Sequence, residues 1–277
     1  MKKSVFAAWC MPVLAVFGAG CIYVDLSPSG NVTAAVAAAA AKSDRAAVNP
    51  QPAAKPDKEN GSAEVMELKL PYRQFVIHPE LSGKYSLAVL LHGSGERGDD
   101  NFIQLTHGAR ELAAYAEKTN RKCIVLVPQC PKDQSWSEHG GMLSPYGAAV
   151  LALIDRKSKE FDVDSKRIYL TGLSMGGYGT WTMVATRPEF FAAAIPICGG
   201  GNPEWGKSLS HTPLMVFHGA KDDAVNVENS RKMVAAVKAA GGNVTYVEYP
   251  DEKHFSWQPA YADDATFDWM FSNQRAE

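Results

Sequence analysis

From residue 66 onward, short apolar runs alternate with longer stretches in which apolar side chains recur at helical spacing. Residues 72–77 alternate apolar and polar positions, as a strand with one covered face does. Residues 87–91, Leu-Ala-Val-Leu-Leu, are apolar without alternation, the pattern of a strand covered on both faces. Similar runs follow at 123–127, 167–170, 193–197, 214–217 and 244–247. The intervening segments 108–119, 145–159, 177–186, 227–240 and 260–272 predict helices. Strand and helix in alternation predict an α/β fold, a mainly parallel central sheet with helices on both faces.

Open sheets of this kind gather ligands beyond the carboxyl ends of their strands. Chemistry-bearing residues do follow the apolar runs here. His92-Gly93-Ser94-Gly95 follows one, Gly172-Leu173-Ser174-Met175-Gly176 another, Asp222 a third and His254 a fourth.

Before residue 64 the pattern is different. Lys2 and Lys3 precede an uncharged run, 5–24, which gives the basic and apolar parts of an export signal. Its 20 residues are also just enough to span a bilayer as a helix. Phe17-Gly18-Ala19-Gly20-Cys21 resembles a bacterial lipoprotein processing site with Cys21 as the lipidated residue, although Gly18 stands where a larger aliphatic residue is usual. Lipoprotein, cleaved secretory protein and single-pass anchor therefore all stay open, and each places the remainder outside the cytoplasm, in the cell envelope or secreted. Residues 25–63, rich in alanine and proline and poor in large side chains, read as a disordered linker holding the 64–277 domain away from a membrane.

Composition changes the picture only by exclusion. With 28 basic and 30 acidic side chains the net charge is −2, so nothing points to nucleic acid or another polyanion. Cys10 and Cys21 lie in the leader, leaving Cys123, Cys130 and Cys198 in the domain. An odd number cannot pair fully within the domain, and buried thiols are favoured over a bridge. The histidines show no close ligand spacing, so no metal or cofactor is expected.

The strongest chemical signal is Gly172-Leu173-Ser174-Met175-Gly176, set between a strand and a helix. Flanking glycines permit a sharp turn that lifts the Ser174 hydroxyl above the sheet. A serine hydroxyl is a weak nucleophile and needs a neighbouring base. His254, in a polar loop after the last apolar run, is the candidate, with Asp222 as the carboxylate that orients it and Asp223 as the fallback. The Met175 amide and the backbone at Ser94 or Gly95 are candidate oxyanion donors. The glycine run at 92–98 lacks the lysine and spacing of a nucleotide-binding loop. Cys130, Trp136 and Trp257 are candidate pocket-wall residues, Trp257 with the alternative of packing behind His254. Segment 199–211 is too short for a large helical lid.

Taken with 91–98, 127–131, 172–181 and His218 to Asp222 followed by His254, the domain resembles the compact α/β-hydrolase esterases related to feruloyl and acetylxylan esterases and to polyhydroxybutyrate depolymerase-like proteins, a group whose members also carry phospholipase/carboxylesterase or predicted-peptidase labels. The resemblance runs from about residue 68 to the C-terminus. It implies nucleophile, acid and base roles for Ser174, Asp222 and His254, and oxyanion roles for Met175 and the loop after His92. Asn226 departs from it, standing where many relatives have proline. The expected activity is hydrolysis of a carboxylic ester, small or attached to a polymer. A serine peptidase and a non-catalytic glycan-binding envelope protein are the alternatives.

Overall fold

The central apolar runs become strands whose two faces are both covered. In the strand Tyr85–Leu91, Leu87, Val89 and Leu91 belong to one buried layer, while Ala88 and Leu90 belong to the other. The neighbouring strand Cys123–Pro128 divides the same way, Ile124 and Leu126 against Cys123, Val125 and Val127. Burial on both sides removes the need for polar alternation, which is why these segments read as continuous apolar runs.

The structure, a computed structural model, describes residues 14–17, 20–25, 31–33 and 67–275. Its strands are β1 (Leu14–Phe17), β2 (Gly20–Asp25), β3 (Asn31–Thr33), β4 (Glu67–Lys69), β5 (Tyr72–Ile77), β6 (Tyr85–Leu91), β7 (Cys123–Pro128), β8 (Val163–Leu173), β9 (Ala193–Ile197), β10 (Leu214–Gly219) and β11 (Val244–Tyr249). Among the described residues, nine of them form one sheet in the order β1-β2-β5-β7-β6-β8-β9-β10-β11, and β3 pairs with β4. Pairing is parallel from β7 through β11 and antiparallel from β1 through β5 to β7. The expected leader and linker fall largely outside the described residues. Within them, β1 and β2 extend the sheet at the β5 edge.

The helices are α1 (Ala109–Lys118), α2 (Pro145–Glu160), α3 (Met175–Thr186), α4 (Gly206–Leu209), α5 (Glu228–Ala239), α6 (Trp257–Ala262) and α7 (Asp264–Ser272). Helices α2 to α5 bury their apolar faces in one core layer, through Leu153, Trp181, Leu209 and Met233 among others. Helices α1, α6 and α7 bury Leu112, Tyr261 and Phe267 in the opposite layer. Among the described residues no helix is long and apolar enough to cross a membrane.

Two elements depart from the sequence pattern. The helix expected over 260–272 is two helices, because Asp263 takes an extended conformation (φ −89°, ψ 115°) and its carboxylate caps α7 by accepting the Ala265 N–H at 2.9 Å. Strand β8 begins four residues before the apolar run, in a polar stretch with no periodicity to read. Segment 199–211 holds one 3-10 turn, Pro203–Trp205, and the single-turn α4, so no large lid covers the carboxyl edge of the sheet.

Candidate active site

Strand β8 sits between β6 and β9 near the middle of the sheet, and its chain leaves the carboxyl edge at Ser174. Ser174 has φ 53° and ψ −116°, a conformation costly for a side chain with a Cβ, and α3 starts at the next residue. Neighbouring strands and the helix hold it there: its N–H donates to Ile197 O (2.9 Å), and its carbonyl accepts the Tyr178 N–H (3.0 Å). Glycine at 176 is required by close approach. A Cβ there would overlap the carbonyl oxygen of Leu91 and lie 2.9 Å from that of His92. The first turn of α3 therefore rests directly on the end of β6, beside the loop that begins at His92.

The ring of His254 bridges the serine and an acid. Its Nε2 lies 2.9 Å from Ser174 Oγ, and its Nδ1 lies 2.8 Å from Asp222 Oδ2. A carboxylate only accepts, so Nδ1 carries the hydrogen and Nε2 presents a lone pair to the hydroxyl. The Asp222 side chain is fully buried, and its Oδ1 accepts the N–H groups of Ala224 (2.9 Å) and Val225 (2.8 Å). Asp223 is exposed and pairs with Lys253 at 3.0 Å, so the structure sets Asp222, not its neighbour, against the imidazole. Glycine at 219 lets the base loop cross the end of β10, since a Cβ there would overlap the carbonyl oxygens of Glu252 and Lys253. Trp257 packs edge-on against His254 with ring centroids 5.2 Å apart.

The loop after His92 forms a 3-10 turn, Ser94–Glu96, beside this elbow. A buried histidine anchors it. The Cys130 N–H can only donate, so His92 Nε2 accepts it (2.9 Å) and His92 Nδ1–H donates to Gly93 O (2.6 Å). Burial pushes the His92 pKa down to about 4, which keeps the ring neutral and this arrangement intact. Ser94 and Gly95 lie on the loop whose Gly93 comes against Ser174, and the Met175 amide lies at the start of α3, whose first turn abuts that loop at His92. The first-turn amides of a helix have no intrahelical acceptor, which leaves that of Met175 available to an anion.

Two of the expected wall residues are not wall. Trp136 is fully buried, donates its indole N–H to His92 O (3.1 Å) and meets the His92 ring at 5.1 Å, so it supports the loop after His92 from inside. Cys130 is also fully buried, and burial pushes its thiol up to about 12. Trp257 is 5% exposed and braces the base, the alternative its position allowed. The open cleft, about 760 Å³, is instead lined by Ser135, Ser137, Met175, Tyr178, Thr182 and Asn202 among others. Tyr178 lay four residues beyond Ser174 on the same helix face, a spacing that could have identified it. Its hydroxyl accepts from Asn229 Nδ2 at 3.0 Å, a partner 51 residues away.

Cys123, Cys130 and Cys198 are all buried free thiols. Cys198 Sγ, an Asp222 oxygen and a His254 nitrogen lie within 4.8 Å of one another. As metal ligands they fit poorly. Burial pushes the Cys198 thiol up to about 12, and the other two groups are bonded to each other.

A model of the prolyl oligopeptidase family matches residues 148–203 and 202–272, the segment that carries Ser174, Asp222 and His254. A solved thermostable esterase superposes with a TM-score of 0.71 at 40% identity, covering 76% of this chain and 60% of that one. The chain has the α/β-hydrolase fold. Its sequence is similar to feruloyl and acetylxylan esterases, polyhydroxyalkanoate depolymerases and dienelactone hydrolases. It is 32% identical over 185 residues to a bifunctional acetylxylan esterase/xylanase of Neocallimastix patriciarum, covering 62% of this chain and 26% of that protein. It is 31% identical over 122 residues to poly(3-hydroxyalkanoate) depolymerase C of Paucimonas lemoignei, covering 39% and 30% respectively. The chain thus spans about a quarter to a third of the length of these two curated relatives.

Proposed function

We propose that this protein hydrolyses carboxylic esters of short-chain or aryl acids, including esters carried on polysaccharides, through an acyl-enzyme on Ser174. The observation that carries the reading is the continuous chain from Ser174 Oγ through His254 to Asp222, with contacts of 2.9 and 2.8 Å. Ser174 Oγ attacks the ester carbonyl carbon while its proton passes to His254 Nε2. The carbonyl π pair moves to oxygen, where the Met175 amide and a backbone N–H of Ser94 or Gly95 receive the negative charge. As the tetrahedral centre collapses, the bond to the alcohol breaks and His254 returns the proton to the departing oxygen. Water then repeats the sequence on the acyl-enzyme, with His254 Nε2 taking its proton, and releases the acid. Asp222 keeps Nδ1 protonated and stabilises the imidazolium formed in each half. No step requires a cofactor.

The lack of a large lid over the cleft, whose lining includes the polar side chains of Ser135, Ser137 and Asn202, supports small or polymer-attached esters over a long acyl chain enclosed from water. The basic pair Lys2 and Lys3 before the uncharged 5–24 run supports an extracytoplasmic location, lipid-anchored at Cys21, anchored by a span, or secreted. The prolyl oligopeptidase model favours a second reading, cleavage of peptide bonds by the same groups.

The deciding test is a panel of p-nitrophenyl esters of increasing acyl length, methyl ferulate, acetylated xylan and peptide anilides, run with wild type and Ser174→Ala. Turnover of short or aryl esters that vanishes in the variant is the expected result. Peptide cleavage without ester cleavage reverses the two enzyme readings, and glycan binding without turnover overturns both.

A further inference from the structure

His218, at the end of β10, contacts the acid without touching the serine or the base. Its side chain is fully buried, and its Nε2 lies 3.0 Å from the carbonyl oxygen of Val225 and 3.1 Å from Asp222 Oδ2. Both neighbours are acceptors, so Nε2 carries the hydrogen. Its Nδ1 lies 2.7 Å from the fully buried Ser230 hydroxyl in the first turn of α5. Ser230 Oγ also lies 3.1 Å from the carbonyl oxygen of Gly199, beside the cleft, so its single hydrogen is shared between two acceptors, the ring nitrogen being the nearer. Burial holds the His218 pKa below the ordinary histidine value, against the Val225 carbonyl and Asp222, so the ring stays neutral.

The polar surroundings of Asp222 are thereby complete. Oδ1 takes the N–H groups of Ala224 and Val225, while Oδ2 faces His254 Nδ1–H and the N–H of His218. The ring of His218 also ties down the carbonyl of Val225, whose own N–H bonds Oδ1, so it closes the 222–225 turn that presents the acid. A buried carboxylate with a missing donor would swing or draw on other partners. We propose that His218 is a positioning residue for the proposed hydrolysis: a neutral Nε2–H tautomer, set by the Val225 carbonyl and the Asp222 carboxylate, that fixes the acid turn and aims Asp222 Oδ2 at His254. The inference rests on the esterase reading, and Ser174-dependent turnover by wild type separates the two.

Positioning acts on the chemical step and not on the cleft, so kcat and KM respond differently. With p-nitrophenyl acetate, His218→Phe lowers kcat about tenfold or more, the scale of a lost hydrogen bond to a charged group, and leaves KM within about twofold. His218→Gln, whose carboxamide N–H reaches the Nε2 position, restores kcat to within about threefold of wild type. Histidine-labelled 15N spectra of the full chain, with His218 assigned by its loss in His218→Gln, show the Nε2–H tautomer from about pH 7.5 to about pH 9. Unchanged kcat in His218→Phe, failure of Gln to restore it, or an Nδ1–H spectrum overturns the inference while the esterase reading stands. If His218→Phe does not fold, the Gln variant and the wild-type spectrum decide. Absence of Ser174-dependent turnover in wild type sinks the esterase reading itself.

Discussion

His92 offers a quantitative check on the loop that carries the candidate oxyanion donors Ser94 and Gly95. The ring is 1% exposed, accepts the Cys130 N–H at Nε2 and donates from Nδ1 to Gly93 O. Protonating Nε2 would set two donors face to face in a buried pocket. The pKa accordingly falls from 6.5 to about 4, with burial as the first cause, opposed by the Gly93 carbonyl. Above pH 6.5 the ring is neutral in the folded and unfolded chains alike, and its full stabilising contribution is present. As pH falls from 6.5 toward 4, the unfolded chain takes up the proton and the folded protein does not, so stability is lost through that window. Below the folded pKa both states are protonated and the loss levels off. The difference between the two values corresponds to about 3 kcal/mol. For a domain of about 210 residues that is a fall of about 6–12 °C in Tm.

His92→Gln isolates the effect, because the carboxamide oxygen accepts the Cys130 N–H without titrating. Tm is measured by calorimetry for wild type and variant from pH 7.5 to pH 4. At neutral pH the wild type is the more stable, and its advantage shrinks by about 3 kcal/mol at the acid end. Parallel Tm curves, or an NMR titration placing His92 near 6.5 in the folded protein, would refute the reasoning.

Two further outcomes follow from the site. Asp222→Asn removes the acceptor that fixes the His254 tautomer and lowers kcat about 10³–10⁴-fold, whereas Asp223→Asn, which breaks only the exposed pair with Lys253, leaves kcat within about twofold; equal losses in ester assays of the two variants would contradict the geometry. The three domain thiols are buried, with pKa values pushed up to about 11 for Cys123 and about 12 for Cys130 and Cys198. Iodoacetamide at pH 8 therefore leaves all three unmodified in the folded protein and alkylates them in guanidinium, as read by peptide mass spectrometry, and rapid native alkylation of Cys198 would show that the triad is open from behind.

The amino-acid sequence by itself determined the alternation of strands and helices, because periodicity records which faces each element must bury. Continuous runs such as 87–91 and 193–197 could only be strands covered on both sides, and that fixed the α/β class. It also determined the nucleophile turn, since glycine beside serine at a strand end is a local backbone requirement. The position of Ser174, Asp222 and His254 after successive apolar runs indicated that their loops belong at one sheet edge.

Tertiary structure decided what depends on partners distant in the chain. Asp222 and Asp223 are adjacent and chemically alike, and only the fold turns one inward to His254 and leaves the other on Lys253. Trp136 follows an edge loop, where sequence suggests a wall, yet its indole N–H finds a buried carbonyl 44 residues earlier at His92. Tyr178 and His218 gained their places through Asn229 and Ser230, on a helix that carries no chemical motif. Burial and hydrogen bonding across such separations are properties of the packed chain. A local pattern states what a residue can do, and its distant neighbours select which of those capacities it uses.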